Sequence, residues 1–233
     1  MFVVATKSEI GGELCKQVEE IVEENRSKGK KTSIAVSGSS QPALLSPFFM
    51  KAKIDWSFVD FYFSDERCVS LDDPDSNFGA WNRLFFVERG IQRDSIHSID
   101  PSCISAKAIA DHYERELQYL PHEDGYTVFD IIILGMGPDG HTCSLFPDHK
   151  EVEVTSQNVT YILDSPKPPK ERITLTLPVL NHAKHVFFLA TGKDKAPMIK
   201  SIREKKSAVP SARVQPQHGE LIWFVDDQAM SEY

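Results

Sequence analysis

A chain of 233 residues with 41% hydrophobic and 10% aromatic residues is long enough to close a core of its own, without a disulfide framework or a metal staple. Its formal net charge of -8 excludes a general nucleic-acid or anionic-membrane binder, because such proteins work through a positive field. A small anionic ligand stays open, provided the cations that serve it are gathered locally.

In chain order, Thr6 stands three residues before Glu9, the spacing of a capping box. Ile10, Leu14, Val18 and Ile21 then recur at helical intervals until the glycine-containing run from Ser27 to Lys31. Ser33 to Ser37 is a short apolar run that stops at Gly38 and reads as a buried strand. Trp56 to Phe63 reads as a second strand, and a helix that starts near Ser105 closes over Tyr113 to Leu120. Phe129 to Leu134 is the strongest strand signal, β-branched and apolar along its length. Further strands are expected at Val159 to Leu163, Ile173 to Leu177, Val186 to Thr191 and Leu221 to Val225, with a helix over Ala196 to Glu204. The proline-rich stretch from Ser165 to Lys170 is too short to link domains and reads as an ordered loop.

Strands apolar on both faces that alternate with helices imply an α/β fold, a three-layer α/β/α sandwich with an open, mostly parallel, Rossmann-like sheet. One domain over residues 1–233 is expected. In such sheets ligands bind beyond the carboxyl ends of the strands, which directs attention to the segments after Val36, Phe63, Leu134 and Leu189. Cys15, Cys68, Cys103 and Cys143 form no CxxC pair, so reduced thiols are expected and a metal site is not. The opening MFVVATKSEI lacks the basic start and apolar run of a signal peptide, and no window holds the ~18 apolar residues of a membrane helix, so a cytoplasmic protein is expected.

Five segments carry candidate chemistry. Ser37-Gly38-Ser39-Ser40-Gln41-Pro42 lies between a strand and a helix start, where backbone N–H groups and hydroxyls can hold a phosphate; an ordinary turn with a serine N-cap is the alternative. Ser64-Asp65-Glu66-Arg67 follows a strand, and its charges belong in a cleft or in solvent. Gly135, Gly137 and Gly140 match GxGxxG, yet Asp139 would repel a pyrophosphate. The other reading is a sharp turn that presents Asp139 and His141 into the crevice, where a histidine serves as a general base near neutral pH. Arg172, in the run Arg172 to Thr176, and Lys195, in the run Gly192 to Ala196, could supply local positive charge or be surface cations. Cys68 beside Arg67 is read as an inert thiol, with a lowered thiol pKa and a redox role as the alternative. His182 and His185 stand three apart with no third ligand and suit surface or capping roles.

Taken in order, AVSGSSQP (35–42), FSDERCVSLDDPDSNFG (63–79), FDIIILGMGPDGHTCSLFPDH (129–149), RITLTLPVLN (172–181) and FFLATGKDKA (187–196) resemble the 6-phosphogluconolactonase family, the match running from about Ser33 to Val225. The resemblance implies a cofactor-independent hydrolase of 6-phosphoglucono-δ-lactone, the second step of the oxidative pentose phosphate pathway. It also implies an open α/β sandwich shared with glucosamine-6-phosphate deaminases. The expected partner is a phosphosugar lactone, with no nucleic acid or membrane, and a monomer or small homo-oligomer is expected.

By the same resemblance, Ser37, Gly38, Ser39, Ser40, Arg172 and Lys195 would hold the substrate phosphate. Arg67 would lie near the lactone and stabilise the oxyanion, His141 would be the general base, and Asp139 would position either Arg67 or the histidine. One departure is Ser39, where the family usually has glycine; a serine there matters if the position needs a positive φ. Two rival functions follow from the same segments. A deaminase-like isomerase typically has a tyrosine after the Asp-Glu pair and a glutamate shortly after the histidine, where this chain has Arg67 and Phe146. A non-catalytic sugar-phosphate sensor would need the phosphate loop but neither Asp139 nor His141.

Overall fold

The computed structural model describes residues 1–232. The chain opens with strand β1 (Phe2–Ala5), helix α1 (Ile10–Ser27), β2 (Thr32–Val36), α2 (Gln41–Phe49), β3 (Val59–Phe63) and a short β4 (Asp65–Arg67). Helix α3 (Asn77–Trp81) runs through a π turn into α4 (Val87–Arg89), and α5 (Ala106–Glu116) follows. A small hairpin, β5 (His122–Glu123) and β6 (Tyr126–Thr127), precedes β7 (Ile131–Leu134), β8 (Val159–Ile162) and β9 (Arg172–Leu175). The chain continues with α6 (Leu177–His182), β10 (His185–Ala190), α7 (Ala196–Arg203), α8 (Pro210–Arg213) and β11 (Glu220–Asp226).

Six strands form a wholly parallel sheet in the order β1-β11-β10-β7-β2-β3. Every residue of β2 and β7 is buried, as a sheet covered on both faces requires, and that is why Ile131 to Leu134 is apolar throughout. From β2 the chain moves outward to β3, whereas from β7 it moves the other way to β10 and β11. The connections after the neighbouring strands β2 and β7 therefore diverge and leave a crevice at their carboxyl ends. Helix α1 packs on β1, β2 and β11 as well as on α2. An aromatic cluster of Phe49, Trp56, Phe61, Trp81 and Phe85 fills the interior beside α2 and α3.

Several boundaries differ from the sequence expectation, each for a local reason. Trp56 to Phe58 is a 3-10 turn, because the Asp55 carboxylate accepts the N–H and hydroxyl of Ser57, and the strand begins at Val59. Ser105 caps α5 by accepting the Ala108 N–H at 3.2 Å, but the α-helix ends at Glu116 and Leu117 to Tyr119 is a 3-10 turn. Strand β9 stops at Leu175, and Leu177 starts α6, with Pro178 in its first turn. Val22 rather than Ile21 continues the fully buried face of α1. The segments expected as strands over 159–163 and 173–177 lie outside the parallel sheet: β4, β9 and β8 form a separate antiparallel sheet. That sheet is tied to the end of β2, because Ser64 donates to the Val36 carbonyl and its own carbonyl accepts from Leu175, both at 2.8 Å.

Candidate active site

The crevice between the ends of β2 and β7 is a cleft of about 400 Å³. One wall is the serine loop. The Ser37 N–H donates to Gln41 Oε1 at 2.9 Å, and its hydroxyl bonds Ser64 Oγ (2.6 Å) and the Ile133 carbonyl (3.0 Å). Ser37 is thus committed to holding the loop against its neighbours. Among the described residues, no protein acceptor takes the N–H groups of Gly38, Ser39 or Ser40, which line the cleft. Gly38 has no room for a side chain: a Cβ there would lie 1.8 Å from Asn77 Oδ1. Ser39 sits at φ 57°, so the position does adopt the left-handed conformation that favours glycine.

The facing wall is the turn after β7. No helix follows Leu134, so the Gly135-Gly137-Gly140 spacing lacks the helix N-terminus on which a dinucleotide site depends. Instead the Gly137 N–H donates to the His141 carbonyl at 2.9 Å and closes a tight turn. His141 Nδ1 bonds Asp139 Oδ1 at 2.5 Å. Both side chains lie across Gly137, where a Cβ would come within 2.1 Å of the imidazole and 2.4 Å of the carboxylate. That close approach explains the glycine. Of the two residues that Asp139 was expected to position, it is His141 that the carboxylate bonds.

The electrostatics of the pair follow from burial and from a neighbouring cation. The His141 side chain is 16% exposed and packs on Phe146, with ring centroids 4.8 Å apart. Burial lowers its pKa below the ordinary imidazole value, and the Asp139 bond opposes that only in part. Lys167 adds to the lowering, with Nζ 3.4 Å from His141 Nδ1 and 4.0 Å from Asp139 Oδ1. Burial pushes the Asp139 carboxyl up, but the hydrogen bond and charge of His141 outweigh it, and its pKa lies below the usual carboxylate range. The result at neutral pH is an uncharged imidazole against an ionised carboxylate. With Nδ1–H directed at Asp139, Nε2 is the nitrogen free to accept a proton.

Arg67 and Arg172 are cross-strand partners between β4 and β9, and both line the cleft. Arg67 donates from Nη1 to the Asp75 carbonyl at 2.7 Å, while its buried Nε has no protein partner. Behind it the Glu66 carboxylate accepts the backbone N–H groups of Arg67, Asn77 and Phe78, each at 2.7 Å, and so closes the loop between β4 and α3. Burial raises Glu66 to about 7 in spite of those donors. Arg172 is 4% exposed, and most of its donors are taken. They go to the carbonyls of Pro169 (2.9 Å), Lys167 (3.0 Å) and Pro168 (3.0 Å), with Ser144 Oγ at 3.4 Å. Its largest visible role is therefore to hold the loop that carries Lys167. Lys195 also lines the cleft, and its ammonium is paired with Asp194 at 2.5 Å.

The cleft thus gathers His141, Arg67, Ser37, Gly38, Ser39, Ser40, Arg172 and Lys195, with Asp139 behind the histidine. Sequence reasoning missed Lys7, Asn77 and Lys167, which line the same cleft. Lys167 was visible only as part of a proline-rich loop, and nothing local in that loop points to a histidine 26 residues away. Burial pushes the Cys68 thiol up to about 12, the opposite of the lowered thiol pKa on which the redox alternative rested. His182 has the capping role, its Nδ1 lying 2.6 Å from the Pro178 carbonyl within α6.

Comparison with known proteins agrees with this geometry. The family model described as glucosamine-6-phosphate isomerases/6-phosphogluconolactonase matches residues 5–223. A rat 6-phosphogluconolactonase is 45% identical over 168 residues, which cover 72% of this chain and 65% of the rat protein. A human 6-phosphogluconolactonase is 40% identical over 190 residues, 81% of this chain and 72% of the human protein. Among solved structures, 6-phosphogluconolactonase from Trypanosoma cruzi superposes with a TM-score of 0.89 at 27% identity, covering 99% of this chain and 95% of that one. A monomeric glucosamine-6-phosphate deaminase shares the fold, with a TM-score of 0.81 at 17% identity. A match over nearly the whole chain, on a cleft that assembles the same segments, means that this protein belongs to the glucosamine-6-phosphate isomerase/6-phosphogluconolactonase family.

Proposed function

We propose that this chain hydrolyses 6-phosphoglucono-δ-lactone to 6-phosphogluconate, the lactonase step of the oxidative pentose phosphate pathway. The observation that carries the reading is the Asp139–His141 pair: a largely buried, uncharged imidazole with Nε2 free, set in one cleft with the side chain of Arg67 and the open amides of the serine loop. Lactone hydrolysis needs an activated water, a stabiliser for the tetrahedral oxyanion and a proton for the departing ring oxygen. His141 Nε2 takes a proton from water as the oxygen attacks C1. Asp139 holds the ring and stabilises the imidazolium that forms. Arg67, which lines the same cleft, stabilises the developing oxyanion with its guanidinium charge, an interaction stronger in the transition state than in the ground state. The imidazolium then returns its proton to the ring oxygen as the C1–O bond breaks, and the product leaves as the open acid. The serine loop and the nearby cations hold the 6-phosphate away from the reacting carbon. This fixes the substrate's orientation and contributes binding energy remote from the chemistry.

The test is a coupled assay in which a dehydrogenase reports 6-phosphogluconate as it forms from freshly prepared lactone, with spontaneous hydrolysis subtracted. Turnover well above background is expected. Background-level hydrolysis, combined with conversion of glucosamine 6-phosphate, would replace this reading with the isomerase-type reaction.

A further inference from the structure

The phosphate end of the cleft is short of charge. A phosphate monoester near neutral pH carries close to two negative charges, and the protein as a whole is negative, with a formal charge of -8. The serine loop offers neutral donors only. Arg172 is buried, with its guanidinium bound to the backbone carbonyls of Lys167, Pro168 and Pro169. Lys195 is paired with Asp194 at 2.5 Å, and such a pair adds no net charge. Lys7 lines the same cleft, together with Ser39, Thr191 and Lys195, and among the described residues it forms no ion pair. Its charge is felt at Asp194, whose carboxyl is held below the usual range chiefly by the Lys195 hydrogen bond, with Lys7 as a further contributor.

The backbone around Lys7 is built. Strand β1 runs parallel to β11 with Ala5 opposite Asp226, so the connection to α1 emerges at the carboxyl edge where the cleft lies. The Thr6 carbonyl accepts the N–H groups of Glu9 and Ile10, both at 2.9 Å. In return the Glu9 carboxylate accepts the Thr6 hydroxyl at 2.6 Å, and Thr6 Oγ1 meets Ser8 Oγ at 3.0 Å. The capping-box spacing in the sequence therefore closes a turn around Lys7, although Thr6 does not use its side chain to cap the helix. Asp226 Oδ1 fixes the Gly192 N–H at 2.9 Å and sets the segment that carries Lys195.

We propose that Lys7, a cation with no ion-pair partner among the described residues, recognises the 6-phosphate, and that the β1–α1 turn is a specificity-determining part of the site, selecting phosphorylated over neutral sugar lactones. The inference rests on the proposed lactonase reaction for its substrate, but its charge argument needs only an anionic phosphosugar. When the phosphate enters, Lys195 can leave Asp194 and join Lys7 on it.

The experiment compares wild type, Lys7→Gln and Lys7→Arg in two measurements. Titration calorimetry with 6-phosphogluconate gives Kd, and steady-state turnover is followed on 6-phosphoglucono-δ-lactone and on unphosphorylated glucono-δ-lactone. Lys7→Gln should weaken 6-phosphogluconate binding about five- to tenfold, a span that matches one partly exposed charge contact to a dianion. The loss on the phosphorylated lactone should fall on KM more than on kcat, and Lys7→Arg should recover most of it. On the unphosphorylated lactone Lys7→Gln should show no comparable rise in KM. An unchanged Kd in Lys7→Gln, or an equal loss on both lactones, overturns the proposal. If the wild type binds 6-phosphogluconate but does not turn over the lactone, the proposed reaction fails while the calorimetric comparison still decides Lys7. Absence of binding by the wild type rejects both.

Discussion

The two walls of the cleft are built in opposite ways. On the wall after β7, polar groups are matched to one another before any ligand arrives: Asp139 to His141, the His141 carbonyl to Gly137, and Arg172 to the loop that brings Lys167 alongside. On the wall after β2, the Ser37 side chain secures the loop, and the next three N–H groups have no protein partner among the described residues. The first arrangement suits chemistry, where a base must already be neutral and aimed. The second suits binding, where open donors wait for an anion that arrives with its own acceptors. On the proposed reaction, catalytic preorganisation and ligand capture fall to different strands of one sheet.

That division can be broken most sharply at Gly137. A Gly137→Ala substitution puts a methyl where the imidazole and the Asp139 carboxylate now lie, displacing the base. The expected loss is about 10²-fold in kcat, the scale of a misplaced catalytic group, with 6-phosphogluconate binding largely kept. A matching collapse of binding would show that the two walls are not independent.

A smaller change is expected at Asp139. An Asp139→Asn side chain can still accept the Nδ1 proton but no longer opposes the imidazolium with a charge. The expected cost is about tenfold in kcat, equivalent to about 1.4 kcal/mol. The pH profile supplies a second readout. His141 has a folded-state pKa below the ordinary imidazole value, so wild-type kcat/KM should hold through neutral pH and fall as pH drops through that lowered value. Since Asp139 raises the His141 pKa, Asp139→Asn should move the acid limb to still lower pH. A limb that moves upward would contradict the assignment.

The smallest effect belongs to the binding wall. Ser39 holds φ 57°, a conformation costly for a residue with a Cβ. Ser39→Gly relieves that strain but gains backbone freedom in the unfolded chain, so the net stabilisation should be below about 1 kcal/mol, a Tm rise of roughly 1–3 °C. A fall in Tm would mean that the serine side chain holds the loop by contacts that outweigh the strain.

The same contrast explains what could be read in the sequence. The buried strands β2, β7 and β10 were legible because both of their faces are covered, which makes β7 apolar throughout and the others apolar after their first one or two residues. Strand β1 was not, since it has four residues at a sheet edge and leaves Val4 49% exposed. Membership of the second sheet was hidden because the antiparallel pairing of residues 159–162 and 172–175 depends on β4, a strand of three charged residues that carries no apolar signal. Within the site, Asp139 and His141 could be found because two residues and a glycine turn bring them together. Lys7 and Lys167 reach the cleft only through the sheet order and through the carbonyl clamp of Arg172, neither of which leaves a local pattern. The carbonyl partners of Arg172 were hidden for a related reason: the motif shows a cation, but not the loop that its guanidinium clamps.

The most direct test of the account measures two quantities on one variant, His141→Ala: kcat for 6-phosphoglucono-δ-lactone and Kd for 6-phosphogluconate. Removal of a general base should lower kcat by about 10²–10⁴-fold, while Kd stays within a few fold of wild type because the phosphate wall is intact. Full-rate turnover by the variant would contradict the catalytic role of His141. A Kd that collapses along with kcat would contradict the division of the cleft into a catalytic wall and a binding wall.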